Sequence, residues 1–513
     1  MHDIESILIL LLAAAVLVRL ADAAQIPAPI VLVIGGLAIA LVPGLPDVEL
    51  EPDVVFLVFL PPIVFSASWR TSPLELKALI RPLTMLAVVL VFLTAAVVAV
   101  VAHALVPGIG WAEAAVLGAI LAPTDAVAPI SIFRRLGAPE RVRLLVSGES
   151  LLNDATALVL YRIAVGVATG GAFSLGSAAL EYVGISAGGI VVGLVVGFLL
   201  DFFARYSQSD VKLAIFISVL GAYGSYVGAE QLHVSGILAV VATGLYGGYR
   251  APRSQNADLR LTAIAFWDVL IFGLETTLFV LLGLQLPGVV DTLNASSSGI
   301  GDLIGPIAAL TAASIGLRLA FVFAMGEDAG ESLGQRFAVG WSGMRGAVSL
   351  AAALAVPLSV SGRPQIIFLT FALILVTLVG MGLSLPYVVR ALKLEEPRRW
   401  SDEEAVARLE AAQSALDRLD EMEDEDRASE KQLERLRDLY RRRFRMCQAV
   451  LAGEETEHAA REQRVADYGE LRRELIGIER EELLNLRSAG RLRNTTMRQI
   501  ERDLDLEEAR IRA

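Results

Sequence analysis

The chain holds a single cysteine, Cys447, in 513 residues, which excludes an intramolecular disulfide framework. Its four histidines (His2, His103, His233 and His458) are scattered and lack the spacing of a metal site. His233, in Glu-Gln-Leu-His-Val-Ser-Gly with Glu230, reads as a loop-end or packing residue. Charge is scarce as well: 19% of residues are Asp, Glu, Lys or Arg, against about 25% in soluble domains. The formal net charge is −12, and the basic residues are either in short clusters or mixed with acids, which excludes a nucleic-acid surface. Asp3 and Glu5 precede the first apolar run where a cleavable leader would carry basic residues, so none is expected. No nucleophile–base pair, nucleotide loop or calcium loop is present, so neither a membrane enzyme nor a cofactor is expected.

What the sequence has in quantity is apolar surface, 55% of residues, and it is unevenly placed. Residues 1–390 form an apolar region and 391–513 a charged tail, two domains of different physics. A helix needs roughly 20 apolar residues to cross about 30 Å of hydrocarbon. Spans are expected near 5–23, 26–43, 51–66, 79–106, 112–133, 144–168, 174–204, 211–229, 233–249, 263–287, 298–325, 335–357 and 365–390. These runs are too long and uniform for barrel strands. The expected fold is therefore an all-α polytopic membrane protein of about thirteen transmembrane helices, with a helical cytoplasmic tail.

Loop charges set the direction. Basic loops carry Arg70, Lys77 and Arg81; Arg134, Arg135, Arg141 and Arg143; Arg205 and Lys212; Arg250, Arg253 and Arg260; then Arg336; then Arg390, Lys393, Arg398 and Arg399. Between them lie acidic or neutral loops: Asp47, Glu49, Glu51 and Asp53; the turn at Gly108; 169–174; Asp291 with its serine run; and Ser361. The alternation places the N-terminus outside and the tail in the cytoplasm. An odd span count permits two inverted repeats joined by a linker span. The fifth and twelfth spans, at matching places in the two halves, are the ones broken by Pro or Gly.

An ionisable residue in mid-membrane costs roughly 2.5–3.5 kcal/mol on insertion scales, so each one is a functional candidate. In the fifth span Thr124 and Asp125 lie between Pro123 and Pro129, which remove backbone donors and free carbonyls. Carbonyl and carboxylate oxygens suit a hard cation. In the sixth span Ser150 and Asp154 are i,i+4 on one helix face, and Glu149 and Asn153 share the adjacent face. The first face offers a hydroxyl and a carboxylate to an ion. The competing reading of Asp154 is a helix cap or buried hydrogen-bonding acid, and Glu149 reads as one member of a structural ion pair. In the twelfth span Arg345 lies between Gly343 and Gly346, cannot lose its proton, and needs an acid; Glu149 and Glu275 are the candidates. Glu275, with Thr276 and Thr277 in the tenth span, reads equally as structural or as part of transport.

In the tail, Leu409, Ala412, Leu416, Leu419 and Met422 recur at helical spacing, predicting long amphipathic helices with a regulatory or oligomerisation role. The run Arg441-Arg442-Arg443-Phe444-Arg445 is read as a solvated face, with anionic lipid as the competing partner.

Five strings, in order, resemble cation:proton antiporters of the first type, the family of NhaP-type antiporters and sodium/hydrogen exchangers. They are Leu60-Pro61-Pro62-Ile63-Val64, Thr124-Asp125, Gly148 to Asp154, Leu232 to Val240, and Gly343-Met344-Arg345-Gly346-Ala347. The resemblance spans roughly residues 5–390. It implies a thirteen-helix fold with two broken crossing helices, a homodimer and alternating access by an elevator-like movement. It implies an ion site of Asp154, Ser150, Asp125 and the Thr124 carbonyl, holding transported Na⁺ or H⁺ and no cofactor. It also implies electroneutral exchange marked by Asn153-Asp154, and a structural ion pair between Glu149 and Arg345. The sequence departs at Ser66, where the family often has an acid, leaving Ser66 to hydrogen-bond Asn153, and at Ala126, where many relatives have proline.

The resulting expectation is an antiporter of the plasma membrane exchanging Na⁺ or Li⁺ for H⁺, with both competing for Asp154. An ordinary Asp titrates near 3.9, so competition near neutral pH requires that carboxyl to be displaced upward by about 2–3 pH units. Desolvation and a neighbouring carboxylate are the means. K⁺/H⁺ exchange uses the same ligands. A channel-like cation pathway gated by the tail needs a continuous polar pore, whereas the acids here cluster near one depth.

Overall fold

The computed structural model describes residues 2–42, 51–171, 174–206, 210–294, 299–394, 402–424 and 429–452, with short stretches between 471 and 508. Asp47, Glu49, the serine run at 296–298, Arg398, Arg399 and His458 lie outside the described residues. The chain divides into two compact units, Met1–Glu396 and Pro397–Ala513.

Every regular element among the described residues is helical. Eight helices there are long and apolar enough to cross a membrane: Pro52–Arg70, Ile80–Leu105, Glu140–Ala168, Gly176–Arg205, Val211–Gln231, Ala257–Asp291, Ile300–Asp328 and Arg363–Ala391. Ala28–Ala40 and Trp111–Leu121 are shorter apolar helices. His2–Ala24 and Gly236–Ser254 occupy the expected spans 5–23 and 233–249. Between the last of these and Val211–Gln231, His233 takes a left-handed backbone (φ 57°) in the connecting turn.

Proline inside a membrane helix removes a donor and frees a carbonyl, and the structure absorbs this locally. Pro61 and Pro62 sit within Pro52–Arg70, and the turn before them widens to a π-helix at Val55–Phe59. The Val58 carbonyl, four residues before Pro62, accepts the Tyr223 hydroxyl at 3.1 Å.

Helices approach closely where glycine lets backbones touch, as expected where lipid supplies no hydrophobic drive between helices. Gly36 of Ala28–Ala40 faces the Val280 carbonyl of Ala257–Leu284, and Gly283 faces the Val33 carbonyl in return. Gly118 faces the Ala95 carbonyl, fastening Trp111–Leu121 to Leu90–Leu105. These contacts hold the scaffold around the helices that break in mid-membrane.

In the second unit, Asp402–Asp424 and Glu430–Leu451 pack on one another. Ala405, Ala412 and Leu419 of the first helix and Leu433 and Cys447 of the second are buried. Arg437 reaches back to Asp420 at 2.7 Å and to Glu423.

Because a Cβ at Gly283 overlaps backbone, Gly283→Val is expected to cost about 1–3 kcal/mol through overpacking. Gly273, on the same helix with open space around it, should accept valine with little change. Thermal unfolding of the detergent-solubilised protein checks this, and equal losses for both variants contradict the crossing.

Candidate functional site

The fifth and twelfth expected spans are both interrupted. Trp111–Leu121 and Val127–Leu136 are separated by residues 122–126, and Leu333–Trp341 and Ala347–Leu354 by residues 342–346. Each break leaves backbone groups without helical partners inside the apolar unit. The two breaks meet: the Asp125 amide donates to the Met344 carbonyl at 2.8 Å. Gly346 lies so close to the Asp125 carboxylate that no Cβ fits.

Two further donors freed at the first break are also met. The Ala126 amide donates to the Ser150 hydroxyl at 3.3 Å, and the Val127 amide to Asp125 Oδ1 at 2.9 Å. The Thr124 carbonyl accepts the Asn153 amide at 3.1 Å, and the same Asn153 nitrogen reaches Thr124 Oγ1 at 3.0 Å. At the second break the Arg345 amide donates to the hydroxyl of Thr377 at 3.1 Å.

Glu140–Ala168 presents two faces here, as its i,i+4 pattern requires. Glu149 and Asn153 are both 1% exposed and both engage Thr124, Glu149 Oε1 accepting the Thr124 hydroxyl at 3.0 Å. Ser150 and Asp154 are half-buried on the adjacent face. Asp154 makes no hydrogen bond or ion pair among the described residues, and Asp125 is the neighbouring charge that acts on it.

The expected pairing of Glu149 with Arg345 is corrected. Glu149 is held by Arg318, from Ile300–Met325, through two parallel bonds of 2.5 and 2.8 Å. Such a fork matches the carboxylate in geometry as well as charge. Arg318 also donates to the carbonyls of Gly340 (3.1 Å) and Val339 (3.0 Å), at the end of Leu333–Trp341. It thus caps the negative end of the interrupted helix. Gly343 leaves the space that its side chain occupies. Arg345 is buried nearby, and its Nε has no hydrogen-bond partner among the described residues. Sequence reasoning missed Arg318, although a lone arginine in the span 298–325 was the signal. Thr377 carried no signal.

Two further expectations fare differently. Ser66 is 4% exposed but makes no hydrogen bond to Asn153 among the described residues, and Asn153 Oδ1 has no partner there. Glu275 is half-buried in Ala257–Leu284, and the charges that act on it are Asp125 and Arg134, which sets it beside the crossing.

Chemically, the crossing holds one carboxylate locked in a fork (Glu149), one partly committed to a backbone amide (Asp125) and one without a bonding partner (Asp154). Removing one member of a buried pair costs about 3–5 kcal/mol. Glu149→Gln and Arg318→Gln should each destabilise the protein by that order, and the double variant should recover part of the loss. Glu149→Gln with Arg345→Gln should recover less, because the Glu149 charge acts on Arg345 without the fork of bonds it makes with Arg318. Thermal unfolding of the four variants decides between the two arginines.

The profile for the transmembrane sodium/hydrogen exchanger matches residues 7–391. An uncharacterized Na⁺/H⁺ exchanger of Mycobacterium tuberculosis is 35% identical over 506 residues, covering 94% of this chain and 91% of the relative. The Na⁺/H⁺ antiporter NhaS2 of Synechocystis is 32% identical, covering 77% of this chain and 71% of the relative. The sodium proton antiporter MjNhaP1 of Methanocaldococcus jannaschii shares the fold, with a TM-score of 0.61 at 21% identity over 77% of this chain and 99% of that one. With a profile match across most of its length and a relative alignable almost end to end, this chain belongs to the sodium/hydrogen exchanger family of multi-pass cation/proton antiporters.

Proposed function

We propose that the chain exchanges Na⁺ or Li⁺ for H⁺, one for one and without net charge movement, with cation and proton competing for Asp154. The observation that carries this reading is the state of the three carboxylates at the helix crossing. Glu149 is neutralised by Arg318, and Asp125 gives one oxygen to the Val127 amide. Asp154 is left half-buried on the same face as Ser150, without a bonding partner among the described residues.

In the proposed site, Asp154, Asp125, the Ser150 hydroxyl and the second lone pair of the Thr124 carbonyl supply the hard oxygen ligands that suit a small monovalent cation. A bound cation replaces the proton on the carboxyl, and a bound proton removes the ligand the cation needs. Asn153 supports the site by fixing Thr124. Arg345 supplies fixed positive charge beside it, and Ser66, buried in the third span, adds no acid to it. Alternating access follows if the site crosses only when loaded with one ion or the other.

The finer architecture belongs to the same reading: thirteen crossings in two inverted repeats, and a homodimer in the plasma membrane. The N-terminus is outside, the exchanger domain covers 1–390, and the 391–513 tail is cytoplasmic. A broader cation range is the second reading. A relative from Bacillus subtilis, 34% identical over 70% of this chain and 57% of its own length, is named a sodium, potassium, lithium and rubidium/H⁺ antiporter. The oxygen ligands proposed here do not by themselves exclude K⁺.

Purified protein in liposomes carrying an internal pH dye should show proton movement driven by Na⁺ or Li⁺. Clamping the membrane potential with valinomycin and K⁺ should leave the rate unchanged, and Asp154→Asn should abolish it. Normal exchange by Asp154→Asn, or cation flux without protons, defeats the mechanism; K⁺ driving the signal as well as Na⁺ favours the second reading. Competition also fixes a sign with pH. Below the titration of the site carboxyl, each unit of acidification should raise the apparent KM for the cation about tenfold, with less effect on the maximal rate. A KM independent of pH contradicts competition.

A further inference from the structure

The second helix of the tail carries a face that its partner helix does not use. Three sectors can be laid around Glu430–Leu451 at 100° per residue. Leu433, Arg437, Tyr440, Phe444 and Cys447 form the seam against Asp402–Asp424. Next to that seam lie Arg435, Leu436, Leu439, Arg442, Arg443 and Met446, all within about 60° of Leu439. Glu430, Glu434 and Asp438 all fall outside that second sector.

On this face Leu436 is 43% exposed and Leu439 39% exposed, and all three arginines are exposed. The acidic neighbour Asp402–Asp424 does not consume them. It takes Arg437, through Asp420 and Glu423. Arg442 donates to the Asp438 carbonyl of its own helix, and Arg443 stacks on Tyr440 at 5.3 Å. No ion pair holds Arg435, Arg442 or Arg443 among the described residues. A purely solvated helix has no reason to group leucine and methionine with arginine in a sector free of acid.

We propose that this face lies on the anionic lipid headgroups of the membrane that the first unit spans. An apolar strip flanked by arginines is the pattern of a helix resting in the interface plane. Exposed Leu436 and Leu439, bordered by three exposed arginines with no acid in the sector, complement a surface that is anionic outside and apolar beneath. Three arginines near an anionic surface favour it by roughly a hundredfold in partition, and salt weakens that attraction. The inference is independent of the proposed ion site, since exchange and docking are read separately.

The test uses the full chain in nanodiscs of phosphatidylcholine alone or with phosphatidylglycerol, under limited trypsin digestion. Cleavage after Arg435, Arg442 and Arg443 should slow about tenfold or more in the anionic discs and recover in about 1 M salt. Cleavage after Arg408 and Arg418, on the acidic helix, should be the same in both discs. Replacing the three arginines with Gln and labelling Leu439→Cys in a Cys447→Ser background gives a second reading. The dye should be quenched by brominated anionic lipid only when the arginines are present. Equal cleavage in both discs overturns the proposal, and protection in phosphatidylcholine alone assigns the face to a second copy of the chain. The wild-type digestion needs no variant, so a misfolded mutant leaves the result decisive.

Discussion

The structure depends on one constraint: a backbone group inside a bilayer must find a partner within the protein. Two helices break in mid-membrane, and three of the groups freed at the first break are answered by residues from other parts of the chain. Met344 takes the Asp125 amide, Ser150 the Ala126 amide, and Asn153 reaches the Thr124 carbonyl. The side chains that look like ion ligands in sequence are therefore also the side chains that keep the helices broken. This dual duty explains why polar residues crowd a few turns of Glu140–Ala168 while the helices around them are apolar.

The same constraint orders the charges. A buried carboxylate and a buried guanidinium are each costly alone, and a two-pronged pair offsets much of that cost. Glu149 and Arg318 make such a pair, and Arg318 spends its other donors on the carbonyl end of Leu333–Trp341. One interaction thereby neutralises an acid, caps an interrupted helix and ties three elements together. With Glu149 fixed, the proposed exchange falls to Asp154 and Asp125, and Arg345 contributes charge without forming that fork.

Much of this was legible in the sequence, for physical reasons. Pro123 and Pro129, and Gly343 and Gly346, mark breaks because proline lacks a donor and glycine resists a regular helix. The i,i+4 spacing of Glu149 with Asn153 and Ser150 with Asp154 fixes which side chains share a face. The tail helices announced themselves through Ala412, Leu419 and their period. What spacing cannot give is which helix packs against which face. Arg318 and Arg345 lie on neighbouring spans, and only packing shows that the first reaches Glu149. Ser66 illustrates the same limit: its span was foreseen, its lack of a bond to Asn153 was not. The glycine contacts of Gly36 and Gly283 were equally hidden, since a glycine in an apolar run looks alike whether it meets lipid or a carbonyl.

The central claim is that Asp154 holds either a proton or a cation. The most direct measurement is proton release when Na⁺ is added to purified protein in weakly buffered detergent solution near neutral pH. The account predicts close to one proton released for each cation bound in the wild type, and neither binding nor release in Asp154→Asn. Cation binding without proton release, or release that survives Asp154→Asn, would contradict it.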